Sequence, residues 1–408
     1  MASTVSLETP HLDLIPRFSK QGYDLESVAL RRDWLERRTS ANLNHVGAFS
    51  ISSSEMKGNI ENPVGAVQIP LGIAGPLLVN GLHARGQFYV PMATTEGALV
   101  RSYERGMALL TRAGGVDARV HVDENCVAPT FFFRDVVAAY DFASQLQIHF
   151  GTIRSEAEAT TTHGKLLRLE PQVAGRNVIV RFHYHTGDAH GMNMIVKATD
   201  RACHWIVQNL GPAGYHIFSG FESEKRASGG LFTAGKGKKV TAGALLPADF
   251  LEFYLRATPA QFVTLWQHTV LGHMQAHSVG YNGHFANGLA AMFIACGQDV
   301  GNLPNCSVGI THFEATPRGD LYASVTLPSL TVATVGGGTG TGTARECLAI
   351  LGCEGSLLAQ KFAEIVASTL LAGELSIGAA IITGELVAAH ETYGRNRPEP
   401  ICVFEHEK

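Results

Sequence analysis

Between residues 129 and 217 the texture of this chain changes, as short β-rich runs (APTFFF, KLLRLEP, NVIVRFHYH) alternate with helical patterns such as AAYDFASQLQIHF. The segments on either side carry longer helical and glycine-rich stretches. With 408 residues the chain is too long for one simple core, so a block of this kind most simply marks a small domain inserted in a larger one. The pattern predicts an α+β protein: a short N-terminal helical arm (1–50), a large mixed α/β domain (51–128 and 218–408) and a small inserted α/β domain (129–217). The clearest unit of the insert is the strand VIVRFHYH, the turn TGDAHG and the helix MNMIVKATDRACHWIVQNLG, with Met194, Ala198, Ala202 and Trp205 on one helix face. A strand that delivers a glycine-bearing turn into a helix start presents free backbone N–H groups, a place for a pyrophosphate.

In the flanking pieces, residues 25 to 45 are charged and helix-favouring, and ENPVGAVQIPLGIAGPL (61–77) suits short strands joined by turns. In MATTEGALVRSYERGMALLTRAGG, Val100, Tyr103, Met107 and Leu110 recur at helical spacing. Thr94 or Thr95 can cap that helix and Gly114 and Gly115 stop it, which puts Glu96 in its first turn. The formal charge of -4 and the lack of a long Lys/Arg run give no footprint for nucleic acid or an anionic membrane, so small-molecule substrates fit better. No basic-then-apolar leader opens the chain and no run approaches about 18 uninterrupted apolar residues, so a cytoplasmic location is expected. Seven scattered cysteines without CxxC spacing read as buried reduced thiols.

Several motifs invite chemistry and are weighed individually. VGGGTGTGTARE (335–346) does not fit G-x-G-x-x-G, and stands open between a phosphate cradle and a plain tight turn. GLFTAGKG (230–237) misses a P-loop because Gly237 occupies the place where Ser or Thr must hold magnesium. His273 and His277 are four apart, with His268 and His284 near, but without the glutamate of HExxH no metal site is assigned. Four titratable residues sit in distinctive surroundings: Glu96 in TTEGAL, Lys225 in SEKRASGG, Asp299 in IACGQD and His390 in ELVAAH.

These four segments, with ENPVGAVQIPLGIAGPL, GDAHGMNM and TVGGGTG, resemble the 3-hydroxy-3-methylglutaryl-coenzyme A (HMG-CoA) reductase family of the class I type, in the family's order from about residue 25 to 397. The resemblance implies a homodimer with active sites across the subunit interface, a large domain for the acyl-CoA and a ferredoxin-like small domain for the nicotinamide cofactor. It implies reduction of the thioester to mevalonate by two hydrides, with release of coenzyme A. Lys225 matches the cation at the carbonyl oxygen, His390 the proton donor to the departing thiolate and Glu96 the acid of the second reduction. Asp299 matches a carboxylate that orients Lys225 and raises the Glu96 pKa against the pull of a helix N-terminus. Ser102 and Arg105 fall at coenzyme A or substrate positions, and Ser219, Glu224, Arg226, His284 and Asn287 around the hydroxymethylglutaryl group. Asp188, Met192, Asn193, Met194 and Gly336, Gly337 and Gly338 fall on the nicotinamide cofactor, with Thr161, Thr162 and His163 at the cofactor's ribose end.

The chain departs from the family pattern in five places. Glu224, Lys225 and Arg226 stand for Asp-Lys-Lys, Glu104 for an asparagine, and Gln267 for a substrate-carboxylate lysine, with Arg226 or His268 able to compensate. TTTHGKL lacks the arginine that meets the 2′-phosphate of NADPH, leaving His163 and Lys165 as nearby basic groups; NADPH is the family default and NADH the alternative. Asn396 replaces a regulatory serine. Two rival readings are a zinc hydrolase on the histidines at 268 to 284, which predicts bound metal and chelator sensitivity, and a non-catalytic acyl-CoA-binding protein, which does not account for the four matched titratable residues.

Overall fold

The computed structural model describes residues 14–18, 22–233 and 236–385. The arm holds α1 (Leu25–Thr39), whose N-cap Asp24 accepts the Ser27 N–H at 2.7 Å, and the single turn α2 (Asn44–Gly47). Arg31 of α1 is buried and donates to the carbonyls of Gly22 and Pro63, which fastens the arm to the chain that follows. Residues 61–70 are irregular, and the strand signal begins only at Leu71. β1 (Leu71–Asn80) and β2 (Arg85–Ala93) form an antiparallel two-stranded sheet, followed by α3 (Leu99–Arg112).

The α3 start corrects one expectation. Glu96 lies three residues before the helix, and neither Thr94 nor Thr95 caps it; the N-cap is Ala98 at φ 69, a left-handed conformation that stops the helix from extending back. Thr94 Oγ1 instead accepts the Glu96 N–H at 3.0 Å. The apolar spacing holds further along, where Tyr103, Met107 and Leu110 are fully buried.

β3 (Asp117–Val127) leads into β4 (Thr130–Phe132), α4 (Val136–Gln145), α5 (Phe150–Glu158), β5 (Lys165–Ala174), β6 (Asn177–His185), α6 (Met192–Leu210) and β7 (Gly214–His216). The four strands after β3 pair antiparallel in the order β7-β4-β6-β5, which with the chain order β4-α-β5-β6-α6-β7 is the ferredoxin-like arrangement. Their apolar faces close a core of their own, built around Phe131, Phe142, Phe182, Tyr184, Ile195 and Ile206. On α6 the buried stripe is Ile195, Ala198, Ala202, Cys203 and Ile206, one position round from the one expected, so that Met194 and Trp205 flank it.

The chain continues through β8 (Gly237–Leu246), α7 (Ala248–Leu255), α8 (Pro259–Gln275), α9 (Phe285–Ala295), α10 (Leu303–Cys306), β9 (Ile310–Ala315), β10 (Leu321–Leu330), α11 (Gly342–Ile350) and α12 (Ala359–Thr383). These strands extend the sheet as β3-β8-β10-β9. β3 therefore belongs to both halves: Asp117 to Glu124 pair with β8, and Asn125 to Val127 pair with β6.

α12 is the central helix of the second and larger core. By length and composition it could cross a membrane, a property the sequence reading did not assign to any segment, but 83% of its most apolar window is buried in this fold. It carries two buried carboxylates, and both are satisfied by backbone. Glu364 accepts the N–H groups of Leu82, His83 and Ala84 in the β1–β2 turn, and Glu374 accepts those of Gly283 and His284 together with the Thr311 hydroxyl. Glycine lets α12 lie close on its neighbours. A Cβ on Gly106 would stand 1.9 Å from the Ala372 carbonyl oxygen, and Cβ atoms on Gly373 and Gly288 would strike the buried Tyr103 ring.

Candidate active site

One expected pair forms within one chain, and a second contact joins two expected site residues that had not been paired. Lys225 Nζ meets Asp299 Oδ2 at 2.8 Å, and Asn287 Nδ2 donates to Glu96 Oε1 at 3.3 Å. Lys225 sits at φ 57 and Ser223 at φ 55, backbone states that an L-residue holds only when its surroundings fix them. Part of that fixing comes from Asn305, whose Oδ1 accepts the Lys225 N–H at 3.2 Å. Asp299 heads the turn after α9 and accepts the Gly301 N–H at 2.9 Å.

The electrostatics of the pair are reciprocal. Burial opposes ionisation of Asp299, but the Lys225 hydrogen bond, the Gly301 N–H and the charges of Lys225 and His190 together hold its carboxyl below the usual value. The Asp299 hydrogen bond raises the Lys225 ammonium above its usual value, against a smaller desolvation effect. Lys225 is therefore a cation throughout the neutral range.

Glu96 does not share this pair. Asn287 stands in the first turn of α9, whereas Asp299 follows its C-terminus. From Asn287 to Ala295 the helix runs about 12 Å at its usual rise of about 1.5 Å per residue. Within one chain the partner of Glu96 is Asn287 rather than Asp299.

The other expected site residues spread around these two centres. His284 stacks on Tyr103 with ring centroids 5.2 Å apart, and its Nε2 is buried without a hydrogen-bond partner. Ser102 Oγ lies 3.0 Å from Ser376 Oγ, and Arg105 donates to Ser376 and to Glu385. Glu104 is turned to Arg101 at 2.6 Å. Arg226 is exposed and donates to the Glu224 carbonyl, and Ser219 Oγ accepts the Phe221 N–H. Glu224 points inward: its carboxylate lies 2.8 Å from the Nζ of Lys236, a fully buried lysine. Gln267 and His268 are exposed on α8. His390, Asn396 and Cys402 lie outside the described residues. The six described cysteines are free and buried, and among the described residues no three His, Cys, Asp or Glu side chains group to hold a metal ion.

The expected cofactor residues gather at the start of α6. Its N-cap is Gly191 at φ 74 with no side-chain cap, so the first-turn N–H groups of Met192, Asn193 and Met194 have no side chain of their own helix to satisfy them. Thr161 Oγ1 lies 2.9 Å from the Met194 sulfur and accepts the N–H groups of His163 and Gly164, which sets Thr162 and His163 beside that helix start, both exposed. The loop of Gly336, Gly337 and Gly338 is tied to the same turn through the Thr334 N–H and the Asp188 carbonyl at 3.0 Å. Positions 336 and 337 have left-handed φ and open space where side chains would stand. These features suit an anionic dinucleotide. The Asp188 carboxylate has a different use, accepting the N–H groups of Leu357, Leu358 and Ala359 at the start of α12.

Residues 27–395 match the family described as hydroxymethylglutaryl-coenzyme A reductase. The chain belongs to this family. The reductase is 43% identical over 373 residues to the HMG-CoA reductase of Methanothermobacter thermautotrophicus, covering 91% of this chain and 94% of that one. It is 44% identical to that of Aeropyrum pernix, covering 91% and 90%. Its fold matches the class II HMG-CoA reductase of Streptococcus pneumoniae bound to NADPH in open conformations, with a TM-score of 0.66 at 20% identity over 90% of this chain and 100% of that one. The reductase is thus an NAD(P)H-dependent oxidoreductase that reduces HMG-CoA in the mevalonate pathway. Sequence reading missed Lys236, Asn305, Glu374, Ser376 and Glu385. Of these only Lys236 carried a visible signal, in the GKGK run that was considered solely as a failed P-loop.

Proposed function

We propose that Lys225 holds the thioester oxygen during reduction, that Asp299 orients Lys225, that Glu96 supplies the proton of the second reduction and that His390 protonates the departing thiolate. The Lys225–Asp299 bond of 2.8 Å carries this reading. Hydride addition builds negative charge on the carbonyl oxygen, and a fixed ammonium there stabilises that charge most where water is scarce. Asp299 keeps the ammonium charged and aimed, while the strained backbone at Ser223 and Lys225 limits where it can go. A nicotinamide cofactor held there would supply one hydride per molecule, so two reduced cofactors would be used in succession, the oxidised one leaving between the two steps.

Around this centre, Ser219, Glu224, Arg226, His284 and Asn287 serve the hydroxymethylglutaryl group, and Ser102 and Arg105 the coenzyme A moiety. Met192, Asn193, Met194 and the glycines at 336 to 338 hold the dinucleotide between them, with Asp188 bracing the turn against α12. Residues 129–217 form the cofactor domain within a large substrate domain. Thr162 and His163 stand where the ribose end is read, and without an arginine there NADPH is bound by a weaker contact and NADH competes with it. Because Glu96 and Asp299 flank opposite ends of α9, a complete site takes Glu96 from one subunit and the lysine pair from another in a homodimer. The enzyme works in the cytosol.

Cofactor absorbance at 340 nm, followed with purified protein and HMG-CoA, tests the reading. Oxidation of NADPH or NADH dependent on the acyl-CoA supports it, and no oxidation of either refutes it. Comparing kcat/KM for the two cofactors decides between them.

A further inference from the structure

His190 lies in the turn that starts α6, yet its ring faces the loop that carries Lys225. Its side chain is 21% exposed, and its Nε2 is buried without a hydrogen-bond partner. The facing acceptor is Glu224 Oε1 at 3.8 Å, beyond hydrogen-bond reach. The other oxygen of Glu224 forms an ion pair with Lys236 Nζ at 2.8 Å without accepting a hydrogen bond from it, and Lys236 donates to the Cys126 carbonyl at 3.0 Å. Asn125 of β3 holds the turn itself, donating to the His190 carbonyl at 2.9 Å. Around the ring stand Glu224 and Lys225 from one loop, Lys236 from the approach to β8 and Asp299 from the turn after α9. Burial lowers the tendency of this imidazole to protonate; Glu224 and Asp299 oppose that effect, and Lys236 and Lys225 add to it.

We propose that His190 is a positioning residue for thioester reduction, a neutral spacer between the cofactor turn and Glu224 that disorganises the Lys225 loop when it takes up a proton. This rests on the reductase reading above. The neutral ring leaves Glu224 to Lys236, and the buried cluster carries one negative and one positive charge. A protonated ring adds a second positive charge, and an imidazolium attracts the carboxylate it faces through a charge-assisted hydrogen bond. Glu224 is then shared between two cations. Since Lys225 is the next residue and is held at φ 57, a turn of Glu224 passes directly into the backbone that aims the ammonium at Asp299. The consequence is an acid-side loss of turnover belonging to His190. The general acid assigned to His390 works in the opposite sense, losing activity as pH rises.

The experiment measures kcat and both KM values between about pH 5 and about pH 9 for the wild type and His190→Gln, which keeps a polar side chain without a titrating ring. The wild type is expected to lose turnover at up to about tenfold per pH unit on the acid side, and His190→Gln to lose that acid limb while keeping the alkaline one. An acid limb that is unchanged in His190→Gln, with the wild type active, overturns the inference alone. No cofactor oxidation by the wild type at any pH overturns the reductase reading and this inference with it. If His190→Gln does not fold, histidine-labelled wild-type protein serves instead. An imidazole resonance that titrates together with kcat and moves in Glu224→Gln supports the inference, and none that tracks the acid limb overturns it.

Discussion

At the scale of single residues, the Lys225–Asp299 contact separates two roles that substitution can distinguish. Lys225→Ala removes the cation proposed to sit at the developing oxyanion and is expected to lower kcat by about 100-fold or more, the range seen when one such group is deleted. Asp299→Asn leaves the cation but removes its charged partner, so it should cost less, with the Lys225 ammonium dropping toward its usual value. Glu96→Gln should spare one of the two reduction steps; following mevaldehyde reduction apart from thioester reduction reads the difference, and equal wild-type rates in both would refute the role. The sequence named these residues through the motifs around them. Their partners were less legible. Asn287 as the partner of Glu96 within one chain was not foreseen, because motif order along a chain says nothing about which end of an intervening helix each residue will occupy, and α9 places Glu96 and Asp299 at its opposite ends.

At the scale of elements, α12 organises the site without entering it. Glu374 is almost fully buried and holds the backbone of Gly283 and His284 at the entry to α9, the helix that carries Asn287. Glu374→Gln replaces one accepting oxygen by an amide donor facing backbone N–H groups, leaving buried donors unpaired at about 1–3 kcal/mol each. Thermal unfolding should show the loss, and the KM for HMG-CoA should rise with it. Gly373→Ala is the packing counterpart, since its Cβ would lie 2.5 Å from the Tyr103 ring. The helices themselves were readable from apolar spacing and from glycine and proline punctuation. What escaped was the role of polar residues inside an apolar run: Glu364 and Glu374 look like interruptions in the sequence, and only the tertiary fold brings them to turns about 280 and 90 residues away, respectively.

At the scale of the whole molecule, the proposed division of each site between subunits has a direct test. Lys225→Ala and Glu96→Gln homodimers should each be impaired, and mixing them after subunit exchange should restore activity, because a mixed dimer contains one site with both wild-type groups. Mixtures no more active than their components would place both groups of each site on one chain. Acid stability gives a second prediction. Glu124, on β3, is paired with Arg168 and His183; burial opposes its ionisation, but these partners hold its carboxyl down to about 2. A carboxylate depressed in the fold contributes stability above its unfolded value near 4.3, and that contribution is lost as pH falls toward about 2. Wild-type Tm should therefore fall steeply below about pH 4, and Glu124→Gln should start lower and fall less. The β-rich segment whose strands close the smaller core was legible as a change of texture, because short strands and turns leave a local pattern. The means of its attachment was not, because pairing between β3, β6 and β8 is a property of register rather than of composition.

That attachment governs how the two cores can move. A loop joining them would act as a pivot, free to swing at little cost. A continuous strand hydrogen-bonded on both sides of the boundary behaves as a torsion bar, so one half can turn relative to the other only by changing the twist of β3 between Glu124 and Asn125. Any rotation of the smaller core against the larger is then small and elastic, and if ligands draw the two cores together the amides at that boundary are the ones whose hydrogen exchange should slow.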